Sequence, residues 1–168
     1  MKLRMADYGN IGITEYEFEL EGLGCEYPFD SKIEHLGDAG ILIGALIDTG
    51  EATTPLYAKA VTTTVGAFPY ANMALPFSEM TRADSTHPWR HLSTLDGDSG
   101  AVSESDYVCE YTDTARLTYL PFHTPLGVKV WQRSLAWAST VREPIIPIEY
   151  DIINLGRRVL KNVYIGID

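Results

Sequence analysis

A chain of 168 residues that is 45% hydrophobic and 21% charged sits in the ordinary globular range and is long enough to enclose a hydrophobic core. A formal net charge of -10 repels phosphate backbones, and the short Arg157, Arg158, Lys161 group is the one basic cluster, so nucleic acid is excluded as an expected partner. No run approaches the ~18 consecutive apolar residues of a membrane helix, so no membrane span is expected.

The first residues are basic but have no apolar stretch behind them, so they do not read as a signal peptide. Short strands are predicted at 3–6, 15–20, 41–47 and 56–63, separated by segments rich in Gly, Pro, Ser, Thr and Asp. Residues 68–105 form a long, irregular, proline-containing segment of the kind that serves a function or packs as an elaborate loop. A strand follows at 107–111.

The clearest period-two pattern is at 126–137. There Lys129, Trp131, Arg133, Leu135 and Trp137 fall on one face, and Val128, Val130, Gln132, Ser134 and Ala136 on the other. Neither face is purely polar, as expected where one face meets an opposing sheet and the other is covered by loops or a neighbouring domain. Large aromatics dominate core energetics, so Trp131 and Trp137 are expected as core anchors. After Pro144, Ile146, Ile148, Tyr150 and Ile152 alternate with Pro147, Glu149, Asp151 and Ile153, a strand with one wet face; the prolines place its first half along an edge or at a bulge. Turn chemistry at 154–158 and a last apolar row, Val163, Ile165 and Ile167, predict a β-hairpin with that strand.

Helical periodicity of any length is missing, so the expected class is all-β, sandwich-like and mostly antiparallel, a single β-rich domain over 1–168. Cys25 and Cys109 lack metal-ligand spacing; they are read as buried thiols or, in an oxidising compartment, as a pair.

Five pieces in order carry a resemblance: Asp7-Tyr-Gly-Asn-Ile-Gly12, the stretch from Ile33 to Asp48, that from Val102 to Thr114, that from His123 to Trp137, and that from Ile148 to Gly166. Together the chain resembles the β-rich amino-terminal region of large secreted multidomain proteins of bacteria that use the type IX secretion route with its carboxy-terminal sorting domain. The resemblance implies an extracellular or cell-surface location, neighbouring domains of a parent chain as partners, and no assigned catalytic residues. Relative to that pattern the chain reads as truncated at both ends, and Pro144 and Pro147 stand where similar proteins carry apolar or acidic strand residues.

Three chemistries compete with a plain scaffold. Gly97-Asp98-Ser99-Gly100 matches the four residues around the nucleophile of chymotrypsin-like proteases. Such a protease needs a placed His and Asp; His35, His87 and His91 precede Ser99 without a strand-end setting, so the motif reads as an acidic turn and no catalytic residue is expected. Asp96, Asp98, Glu104, Asp106 and Asp113 supply oxygen ligands suited to calcium, weighed against solvated surface carboxylates. Phe68, Tyr70, Phe77 and Trp89 could bind a glycan or a protein surface, or plug the end of a sandwich. The expected role is thus a non-catalytic structural or adhesive module, with a carbohydrate-binding accessory module of a secreted hydrolase and a calcium-stabilised spacer as alternatives.

Overall fold

The computed structural model of the chain describes residues 1–6, 8–12, 23–48, 56–63, 81–82, 90–115, 125–138 and 145–167. Among the described residues there is no helix. The strands in chain order are β1 (Lys2–Leu3), β2 (Ile11–Gly12), β3 (Cys25–Glu26), β4 (Asp38–Ala39), β5 (Ile41–Asp48), β6 (Leu56–Thr62), β7 (Thr81–Arg82), β8 (Arg90–Leu92), β9 (Ser105–Thr112), β10 (Val128–Ala136), β11 (Ile148–Asn154) and β12 (Leu160–Ile167). The class is all-β, and every described ladder is antiparallel.

Two larger sheets form the body. One runs β11-β10-β9, with β7 and β8 both pairing with β9; the other runs β12-β5-β6. Strand β5 shows why the sheets face each other. Ile41, Ile43, Ala45 and Ile47 are buried while the residues between them are only half-buried, the period-two signature of a strand with one face in a core. Opposite them stand Cys109 and Tyr111 of β9 and Val128 and Val130 of β10, and with Val61 and Leu126 these residues make one core cluster. Its members are mostly β-branched, which suits a pleated surface packed against another sheet. Inside it, the Tyr111 hydroxyl donates to Gln132 Oε1 at 2.9 Å, so the buried phenol and amide satisfy each other.

Two small pairs, β1 with β3 and β2 with β4, form at the amino-terminal end of the chain. Gly9 explains how closely this end approaches the core. Its φ is +94°, and a Cβ there would stand 2.4 Å from the Tyr111 ring, so only glycine fits both the backbone and the space.

Three expectations change. The row at 163–167 does not return as a hairpin on the preceding strand: β11 pairs with β10 and β12 pairs with β5, so residues 155–159 carry the chain from one sheet to the other. Leu155 N–H donates to Gly127 O at 2.8 Å and anchors that crossing. Alternation reports a strand's faces and not its partner, and a hairpin and a crossing give the same pattern. Trp131 and Trp137 are only half-buried. The inner face of β10 is filled by Val128, Val130, Gln132 and Ser134, leaving Trp131 on the outer face, 5.9 Å from the Arg133 guanidinium. Finally, part of the irregular 68–105 segment is regular: β8 pairs with β9 from Arg90 opposite Val108 to Leu92 opposite Asp106, so residues 93–104 are the loop of a hairpin. The strand expected at 15–20 lies outside the described residues. Cys25 and Cys109 are buried free thiols.

Candidate functional site

The carboxylates singled out for calcium are placed on two separate stretches. Asp96 and Asp98 belong to the 93–104 loop of the β8–β9 hairpin, and Gly97 and Gly100 supply its positive φ angles. Asp98 Oδ2 accepts from Ser93 N–H at 2.9 Å, and Asp98 N–H donates to Ser93 O at 3.1 Å, so this side chain ties the two sides of the turn. Glu104 Oε2 accepts from Ala138 N–H at 2.8 Å, pinning the hairpin to the chain leaving β10. Asp106 is the second residue of β9 and Asp113 follows its last, about 23 Å apart at the rise of a strand, so one ion cannot take both.

Asp106 is the centre of the hairpin's attachment. Its carboxylate is wholly buried yet accepts from Val102 N–H at 2.8 Å, Ser103 N–H at 2.9 Å and Arg133 Nε at 3.1 Å, with further bonds from Ser103 Oγ and Arg133 Nη2. Burial pushes this carboxyl up, but the bonds from Ser103, Val102 and Arg133 outweigh it and hold the group below the usual aspartate range. Arg133 also donates to Gly100 O, so one guanidinium joins strand β10 to the tip of the turn. The loop thus covers the outer face of the β9–β10 pair, where Val108 and Leu135 are buried.

Asp113 does similar work at the other end of β9. Also wholly buried, it accepts from Val128 N–H at 2.9 Å, from Gly127 N–H at 3.1 Å and from Leu126 N–H. Three successive amides converging on one carboxylate form an anion-binding nest, here filled from within the chain. Glu34 repeats the device, accepting from Gly24 N–H at 2.6 Å, Cys25 N–H at 2.7 Å, Leu36 N–H at 3.1 Å and His35 N–H at 3.2 Å. Among the described residues, no three His, Cys, Asp or Glu side chains are grouped to hold a metal ion.

The protease-like motif places Ser99 on the exposed turn. The His91 imidazole is engaged elsewhere: its Nε2 lies 3.0 Å from Ser105 Oγ, and its ring packs at 4.8 Å from that of Tyr107. This exposed Ser105–His91 contact was not legible in the sequence, because it depends on the β8–β9 register that sets His91 beside Tyr107. No carboxylate bond to His91 is described that would orient the imidazole as a base. Phe68, Tyr70, Phe77 and Trp89 lie outside the described residues.

A different feature stands out on β12. Its register places Ile165 opposite Ile43 and Ile167 opposite Ile41, so these isoleucines share the core-facing side of their sheet. Ile43 and Ile41 are 0% and 1% exposed, whereas Ile165 and Ile167 are 59% and 69% exposed. One strand further out, the opposing sheet no longer covers the same face. Val163 and, on the outer face, Tyr164 are exposed as well. The signal in the sequence was the apolar row itself; that it would be left uncovered is a property of the sheet edges.

Comparison with protein-family models, curated proteins and solved structures returns no match.

Proposed function

We propose that this chain is a non-catalytic interaction module, structural or adhesive, of a secreted or cell-surface bacterial protein. The observation that carries the reading is the uncovered apolar row on β12. Contiguous exposed apolar surface is uncommon on soluble monomers and marks sites of contact with other polypeptides. The pinned hairpin and nests add support of a second kind. Carboxylates that hold backbone amides stiffen loops around a sandwich, and a stiff scaffold lowers the ordering cost of holding a partner. The resemblance to type IX secreted proteins supports the location, with adjoining domains of a parent chain as natural neighbours.

A serine-directed fluorophosphonate probe tests the non-catalytic part. The chain is expected to stay unlabelled. Labelling that disappears in Ser105→Ala or Ser99→Ala would reveal an activated serine and overturn the proposal. For the location, the reading frame around this segment is expected to encode a signal sequence upstream and a sorting domain downstream.

A further inference from the structure

The exposed row on β12 coincides with a free sheet edge. In the order β12-β5-β6, β12 is terminal, so one of its edges pairs with no described strand. Such an edge presents unpaired N–H and C=O groups and is a template for another strand. Proteins commonly blunt edges with lysine or a bulge, and β12 carries both near its start: Lys161, and an irregularity in which Asn162 and Val163 together stand opposite Ala45. Beyond the bulge, from Tyr164 to Ile167, the pairing with β5 is regular and the outer edge has no such device.

The chain enters β12 from β11, itself the terminal strand of its sheet, through residues 155–159. In β11, core-facing Tyr150 and Ile152 are only partly buried, and the Tyr150 hydroxyl is buried without a hydrogen-bond partner. Among the described residues β12 and β11 are both terminal strands, and the isoleucines of β12 lie uncovered, which leaves this side open to one extended segment.

Charge indicates the chemistry of that segment. In a chain of net charge -10, the basic cluster Arg157, Arg158 and Lys161 lies at the start of β12. Lys161 is partly neutralised by Asp48 at 3.0 Å, while Arg157 and Arg158 are exposed with no ion pair described. An arriving acidic strand is repelled by most of this surface and attracted here, which steers it to this edge.

We propose that the free edge of β12 accepts an extended polypeptide strand from a partner protein, with apolar residues alternating with acidic ones. Its main chain pairs with the Tyr164–Ile167 edge and its apolar side chains cover Ile165 and Ile167. Arg157 and Arg158 lie about 20 Å back along the chain from Tyr164 at strand rise, so the carboxylates that meet them are those of the partner's continuation past the bulge. This is β-augmentation, in which the ladder gives affinity and alternate side chains give selectivity. It deepens the interaction-module reading and rests on it.

The test uses the full chain and fluorescent synthetic peptides read by anisotropy. A peptide alternating valine with glutamate is expected to bind saturably, and one alternating valine with lysine about tenfold or more weakly. N-methylation of alternate amides in the glutamate peptide removes its edge bonds and is expected to abolish binding. On the protein, Arg157→Glu combined with Arg158→Glu alters only exposed side chains and weakens binding about tenfold at low salt, with the difference shrinking as salt rises. Ile165→Lys, checked for an unchanged circular dichroism spectrum, abolishes binding. Equal affinity for the glutamate and lysine peptides, or none for either, overturns the inference. A concentration-dependent dimer that Ile165→Lys dissolves, without peptide binding, also overturns it and assigns the edge to a second copy of the chain. Failure here with no serine labelling removes the strand partner alone, whereas labelling removes the module reading beneath it.

Discussion

Asp106 shows how this chain handles buried charge. A carboxylate removed from water costs several kcal/mol unless its oxygens are satisfied, and here two backbone amides, a hydroxyl and a guanidinium satisfy them. Removing one member of such a pair leaves the other desolvated, so Asp106→Ala is expected to cost about 3–5 kcal/mol, because Arg133 then keeps its charge against an apolar wall. Arg133→Ala should cost less, since Ser103 and Val102 still bond the carboxylate. The double variant should be milder than the sum of the two by about 1 kcal/mol or more, since neither charge is then stranded beside the other. Urea unfolding of the three variants measures this, and strict additivity would mean the pair is not coupled. In the sequence, Asp106 stood out only as one of five acidic residues suited to an ion. Its partners Val102 and Ser103 are close in the chain, but Arg133 is brought to it by the β9–β10 register, which no local pattern encodes.

At the level of strands, what could be read in advance was whatever depends on a strand's own alternation. Residues 41–47 and 107–111 lie within β5 and β9, and the two faces of β10 divide as the pattern requires. Which face meets the other sheet did not follow, because both faces of β10 carry large apolar groups. The tryptophans gave the wrong answer: hydrophobic area argued for Trp131 inside, yet the space between the sheets is filled by Val128, Val130 and the isoleucines of β5, with Trp131 lying outside against Arg133. The assignment has an energetic consequence. Ile43→Ala empties a site at the centre of the core and should cost about 2–5 kcal/mol. Trp131→Ala removes a larger side chain but leaves no closed cavity, and should cost less than Ile43→Ala. Chemical denaturation of both variants decides it, and a larger loss for Trp131→Ala would place that ring in the core. The crossing from β11 to β12 was hidden for the same reason as the register of β8: partner choice lies in contacts distant along the chain.

Across the whole molecule, one device recurs: carboxylates accepting from backbone amides hold separate loops, at Glu34, Asp98, Asp106 and Asp113. Stability is therefore tied to pH. At Glu34 and Asp106 burial raises the carboxyl, but hydrogen bonds, from the amides of Leu36, Cys25 and Gly24 at Glu34 and from Ser103, Val102 and Arg133 at Asp106, leave both groups below their ordinary values. A carboxyl depressed in the folded state binds protons more readily when unfolded. Its stabilisation is complete above the unfolded values of about 4 and is lost as pH falls through the lower folded values. The basic limb comes from other groups. Burial raises the phenol of Tyr111 strongly and pushes that of Tyr150 up to about 12, so both stay neutral in the fold after an unfolded tyrosine begins to ionise near pH ~10. Their contribution is complete below that point and declines as pH rises toward the folded values. The urea midpoint is thus expected to change little between about pH 5 and 9, to fall on further acidification and to fall again above about pH 10. Glu34→Gln combined with Asp106→Asn should lower the plateau and flatten the acid limb, because the variant no longer carries the two depressed carboxyls. Tyr150→Phe should raise the upper end, since it removes an ionisable group whose hydroxyl has no partner in the fold. An acid limb as steep in the double variant as in the parent chain would show that general charge repulsion, and not the two anchored carboxylates, sets the acid limit.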